Sequence, residues 1–199
     1  MRRVAGIGLT LLGLLLLGHV GTTYASGALA RDRARAEWAA VEARRSLEGA
    51  VARLDARSGS AVAPAIGSPV ARLRIPRLGL DEIVVAGVAD AQLNAGPGHL
   101  PGTPLPGEAG NSIISAHRDR HFRGLDRVAV GDTIDTQSRQ HSTRWVVREI
   151  RVVGSDTPAL FGSPEPVLTL TTCWPVRFLG PAPDRLLITA TPLGAEGVK

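Results

Sequence analysis

Three textures of apolar and polar positions follow one another along this chain. Residues Val4 to Ala30 carry no Asp, Glu, Lys or Arg and centre on a leucine-rich run from Leu9 to Val20. With Met1-Arg2-Arg3 as a positive start, this reads as a signal peptide or signal anchor. Its length suffices to cross a bilayer, which takes about 20 mostly apolar residues. Arg31 to Arg57 has no proline, one glycine and abundant Ala, Arg and Glu, a helical composition. Its apolar positions Trp38, Val41, Leu47, Val51 and Leu54 form only a broken stripe, which predicts a solvated helical stalk. Residues 58–69 are rich in Ser, Ala, Pro and Gly and predict a linker.

From Val70 the period shortens to two. Ala71, Leu73 and Ile75 alternate with Arg72 and Arg74, the pattern of a strand with one buried face. Ile83 to Val85, Asn111 to Ala116, Asp132 to Thr136, Thr143 to Val153, Val167 to Cys173 and Arg185 to Thr191 are further strand candidates. The Gly- and Pro-rich stretch Asn94 to Asn111 predicts a long loop. Closely spaced short strands with little helix predict an all-β domain, barrel or sandwich, over residues 70–195.

Charge changes this picture little. The formal net charge is +5, but the basic residues are scattered and nearly all arginine, with Lys199 the single lysine. No basic stripe interleaved with aromatic residues occurs, so nucleic acid is set aside as a partner. Arg2 and Arg3 favour an amino terminus inside the cytoplasm, whereas Arg31, Arg33, Arg35, Arg44 and Arg45 follow on the other side. Thr23-Tyr24-Ala25 would serve as a small-residue cleavage site. The expectation is an uncleaved single-pass anchor with the carboxyl-terminal domain outside the cytoplasm.

The chain has one cysteine, Cys173, at the end of the run Val167-Leu168-Thr169-Leu170-Thr171-Thr172. One thiol makes no internal disulfide and no structural zinc site. Cys173 is therefore either a reactive nucleophile or a small buried apolar residue. A second strand candidate runs into His117, and a third opens on Arg185. Strands lying side by side would gather all three at one end of a barrel. A thiol ionising near pH 8.5 needs a cationic neighbour to react as thiolate. Histidine supplies such a charge and can protonate a departing amine. Arginine stays charged and can hold a developing oxyanion.

Thr169-Leu170-Thr171-Thr172-Cys173 resembles the TLxTC motif of sortases, the cysteine transpeptidases that attach proteins to cell surfaces. Further matching segments are Ala109-Gly110-Asn111 leading to His117-Arg118-Asp119, Phe122-Arg123-Gly124-Leu125, Gly131-Asp132, Cys173-Trp174-Pro175, Gly180-Pro181-Ala182-Pro183, and Arg185 at the start of the last strand. The likeness runs from Val70 to Pro192 and is closest in style to class D and to Gram-negative types. Trp174 stands where many relatives carry a smaller aromatic residue. Ser115-Ala116 replaces the more usual small residue and glycine.

The resemblance implies a closed eight-stranded β-barrel with His117, Cys173 and Arg185 as catalytic residues. Cys173 would attack an LPxTG-type C-terminal sorting signal to form a thioacyl enzyme. The acyl group would then pass to an amine acceptor on the cell wall or a protein. Thr172 and Trp174, on either side of the thiol, are expected to shape the substrate site, with pure strand packing the alternative for Thr172. Leu160 and Phe161, in the segment 154–166, would either pack on the sorting motif or plug the barrel end. No cofactor is needed, and no compact carboxylate cluster suggests a metal.

Other readings of the same residues remain. His19, His99, His121 and His141 are assigned no catalytic role; the last three fall in expected loops, where histidines are usually solvated, and His121 stands close enough to His117 in sequence to be a rival base. Asp119 would cap a turn. Arg185 could pair with Asp184 at the surface. Ser115 lacks the glycine elbow of a serine nucleophile. At the level of function, the alternatives are an envelope transpeptidase of the L,D type and a non-catalytic, anchored, peptide-binding barrel.

Overall fold

The computed structural model describes residues 2–51, 63–157, 162–177 and 180–194. Leu160 and Phe161 lie outside the described residues. One long helix, α1 (Arg2–Val51), precedes eight strands: β1 (Pro69–Ile75), β2 (Leu80–Ala86), β3 (Gly98–His99), β4 (Asn111–Ser115), β5 (Thr133–Ser138), β6 (Ser142–Gly154), β7 (Val167–Trp174) and β8 (Asp184–Pro192). A short helix, α2 (Asp90–Ala95), stands between β2 and β3. The strands close in the order β1-β2-β3-β4-β7-β8-β6-β5, with β5 returning to pair with β1. Closure leaves no free sheet edge. The expected eight-stranded barrel is therefore the observed one.

Strand β5 and most of β1 bury alternate residues, whereas β4 and β7 are buried almost along their whole length. Ala71, Leu73 and Ile75 are fully buried, together with Ile114, Leu168, Leu170, Ile188 and Ala190 from facing strands. Trp145 fills the interior, and its indole N–H donates to Thr136 Oγ1 at 2.7 Å, so no polar atom of the ring is left bare. Outside, Arg72 lays a two-pronged ion pair on Asp81, with both N–O distances 2.7 Å.

The stretch read as a continuous loop from Asn94 to Asn111 instead holds the end of α2 and the two-residue β3. Two residues are too few to show any alternation, and that is why β3 escapes a periodicity reading. His99 lies in β3 and is 4% exposed, not a solvated loop group. Its Nε2 lies 2.9 Å from the Pro104 carbonyl and 3.1 Å from Thr103 Oγ1.

Burial holds the His99 ring below its ordinary pKa, opposed by the Pro104 hydrogen bond and the Glu108 charge. The unfolded chain therefore takes up this proton at about pH 6.5, and the folded chain only at lower pH. The contribution of His99 to stability is present at neutral pH and is lost as pH falls through that value. The melting temperature should drop between pH 7.5 and 5.5, and His99→Asn should flatten that drop when the two chains are melted side by side.

The largest departure from the sequence reading concerns α1. It runs unbroken through the boundary expected at residue 30, and its second half lies on the barrel. Trp38 is 2% exposed and, with Ala34 and Val41, packs on Ile83 and Val85 of the outer face of β2. The contact face is Tyr24, Gly27, Arg31, Ala34, Trp38, Val41 and Arg45, spaced alternately three and four residues apart as one side of a helix requires. Gly27 is needed for close approach, because a Cβ there would stand 2.9 Å from the Asn94 carbonyl oxygen. Arg45 donates to the Ser138 carbonyl at 3.2 Å, and Arg72 reaches Glu42 at 3.4 Å. Leu11, Leu12, Leu14, Leu15, Leu16, Leu17 and Val20, beyond this contact, are exposed.

Candidate active site

Topology assembles the site. Strands β4 and β7 are parallel neighbours, with Ser115 opposite Thr171. The backbone N–H of Ala116 extends the ladder to the Thr171 carbonyl at 3.2 Å. Parallel strands finish at the same end of a sheet, so His117, two residues past Ser115, and Cys173, two past Thr171, emerge together. Strand β8 is antiparallel to β7 and begins where β7 ends; Arg185 is the direct cross-strand partner of Cys173. Alternation then sets the faces. Ala116, Leu170, Leu186 and Ile188 point into the core, so His117, Cys173 and Arg185 sit at positions of the outer face.

Arg185 Nη1 lies 3.6 Å from Cys173 Sγ. A permanent positive charge thus stands beside the sulfur of the chain's single thiol. Arg185 is exposed and faces the sulfur, and no ion pair with Asp184 forms among the described residues. Cys173 is half-buried, which leaves it reachable. Among the described residues, no three His, Cys, Asp or Glu side chains gather as a metal site would require.

Thr172 is buried, and its hydroxyl donates to the Ala116 carbonyl at 2.7 Å, tying the residue before Cys173 to the residue before His117. It braces the two strand ends from inside the barrel. Trp174 also turns inward, partly buried against the core cluster, and the Trp174–Pro175 peptide bond is cis.

The segment after His117 is folded back on that residue. The backbone N–H groups of Arg120 and Phe122 donate to the His117 carbonyl at 3.3 and 3.1 Å. Phe122 and Leu125 are fully buried and anchor the turn. Gly124 has φ 81°, a left-handed conformation that calls for glycine. Arg118 donates to the carbonyls of Pro175 and Gly180, binding the His117 segment to the loop that follows Cys173.

Sequence reasoning placed His121 in a solvated loop, with a rival-base role beside His117 as the alternative. It is 4% exposed, with Nδ1 3.3 Å from Glu82 Oε1 on β2. The signal available was its place between His117 and the buried Phe122, but a pattern without regular period does not reveal which side chain turns inward.

Comparison with known proteins agrees with the barrel fold. Residues 73–193 match the sortase domain family. The chain is 27% identical over 135 residues to Sortase D of Bacillus subtilis (strain 168), covering 67% of this chain and 68% of that protein. The Sortase D5 transpeptidase of Clostridium perfringens superposes with a TM-score of 0.59 at 28% identity, covering 66% of this chain and 82% of the other. Sortase C1 of Streptococcus agalactiae gives 0.58 at 32% identity, covering 63% of this chain and 67% of the other.

Proposed function

Because the chain belongs to the sortase family of cysteine transpeptidases, we propose that Cys173, His117 and Arg185 carry its reaction on an LPxTG-type sorting signal. The observation that carries this reading is the cross-strand contact of Arg185 with the Cys173 sulfur, at the barrel end where β4 delivers His117. The Cys173 thiolate attacks the carbonyl carbon of the Thr–Gly bond, and Arg185 stabilises the resulting oxyanion. The carbon–nitrogen bond breaks as the His117 imidazolium gives its proton to the leaving amine, leaving a thioacyl enzyme. An incoming amine then loses a proton to His117 and attacks the thioester. The carbon–sulfur bond breaks, and the thiolate is restored with the acyl group on the acceptor. The family works on proteins bearing sorting signals and on amine acceptors; here the acceptor is a cell-wall or protein amine.

Membrane attachment is supported by α1, the one helix among the described residues long and apolar enough to cross a bilayer. Its exposed leucines need a cover that water does not provide. In this reading the first part of α1 spans the membrane and the barrel stands outside the cytoplasm. Peptides of LPxTG type incubated with the full chain in detergent, with and without an amine, should yield a thioacyl mass on Cys173 and an amine-dependent ligation product. Ready alkylation of Cys173 with no peptide adduct would retain the nucleophile and refute the substrate.

A further inference from the structure

Two consecutive residues of the segment leaving His117 are held, directly or through one intermediary, by α1. The guanidinium carbon of Arg120 sits 4.6 Å from the centre of the Tyr24 ring, within cation–π range. The same guanidinium donates to Asn94 Oδ1 at 2.8 Å. The next residue, His121, meets Glu82 on β2, and the second oxygen of Glu82 lies 3.7 Å from Arg35 Nη2 on α1. His121 Nε2 is buried with no hydrogen-bond partner among the described residues, so Glu82 is the polar hold on that ring. The backbone of this stretch closes onto the His117 carbonyl. Whatever displaces Arg120 or His121 therefore shifts the turn on which His117 stands.

We propose that α1 is a positioning element for His117. Tyr24, and Arg35 acting through Glu82 and His121, set the turn that aims the imidazole at the leaving amine. Docking of the helix thereby governs turnover. The inference rests on the catalytic reading of His117 given above. Its physical basis is preorganisation: a proton donor displaced by about an ångström loses much of its effect, although the barrel and the thiol remain intact. None of Tyr24, Arg35, Glu82 or His121 touches the reacting atoms in this account. They act through the backbone of the His117 turn.

The test uses the full chain in detergent with an LPxTG-type peptide and an amine, reading kcat, KM and melting temperature together. Tyr24 is 60% exposed and the Arg35 side chain 52% exposed, so neither replacement removes core. Tyr24→Ala is expected to lower kcat two- to fivefold with KM unchanged and the melting temperature lowered by no more than about 4 °C, the size expected of losing an exposed cation–π contact. Tyr24→Phe, which keeps the ring face, is expected to restore kcat. Arg35→Gln should lower kcat by a similar factor, and Arg35→Lys should recover most of it. Glu82→Gln, which touches His121 itself, should cost about tenfold in kcat. Wild-type kcat in both Tyr24→Ala and Arg35→Gln would overturn the proposal, as would Tyr24→Phe behaving like Tyr24→Ala. A wild-type chain that forms no thioacyl adduct at all would instead overturn the catalytic reading, and this proposal with it.

Discussion

Replacing Cys173 with alanine should abolish the thioacyl adduct and lower amine transfer by about 10⁴-fold or more, to the background of a mass-spectrometric assay. The argument is one of elimination made concrete by geometry. Cys173 is the only thiol in the chain, it ends a rigid parallel strand, and its sulfur meets a guanidinium. Without the sulfur the acyl group has no covalent resting place, and a single difficult displacement replaces two easier ones. The fold should survive. Cys173 is half-buried at a strand end, and Cys173→Ala there should change stability by about 1 kcal/mol or less. Residual transfer near the wild-type rate would require a different nucleophile, and Ser115, across the ladder at Thr171, would be the first to examine.

Arg185→Ala should lower kcat by about 10²- to 10³-fold, the usual cost of removing one donor to a developing oxyanion. Arg185 is exposed on β8, while its neighbours Leu186, Leu187 and Ile188 carry the packing of that strand, so folding should be unaffected. Arg185→Lys should not rescue the rate. An ammonium is a compact point charge on a flexible stem and does not reproduce the planar fork of a guanidinium set against the sulfur. Steady-state kinetics separate the roles. A fall in kcat places the guanidinium in the transition state. A rise in KM alone would make it a handle for the substrate backbone.

Most of the barrel was legible because strands with one buried face advertise themselves. Ala71, Leu73 and Ile75 alternate with two arginines in the sequence and are buried alternately in the structure. The runs ending at His117 and Cys173 became β4 and β7 almost to the residue. The misses share a different cause. β3 is two residues long, below any period. Its His99, and His121 in the turn after β4, are buried by the packing of segments remote in sequence, which local polarity does not report. The docked face of α1 was missed because it is built from Gly27, Ala34 and the stems of Arg31 and Arg45 around Trp38 and Val41. A hydrophobicity count takes small residues and arginines for a solvated surface. On a helix laid close to a barrel they are what allows approach and what holds it.

The sequence by itself determined the local elements and the chemical inventory: an apolar amino-terminal segment, short strands, and one thiol with a histidine and an arginine at the ends of three of them. Side-chain period and residue chemistry are properties of neighbouring positions, so they are readable without a fold. Only the tertiary structure decided that β4 and β7 run parallel and adjacent while β8 starts beside them. That arrangement brings residues 117, 173 and 185 to one barrel end. Only it decided that α1 lies against the domain, within reach of the turn that carries His117. Strand order and helix docking are settled by burying faces whose partners lie far along the chain, and no local pattern encodes which face will meet which.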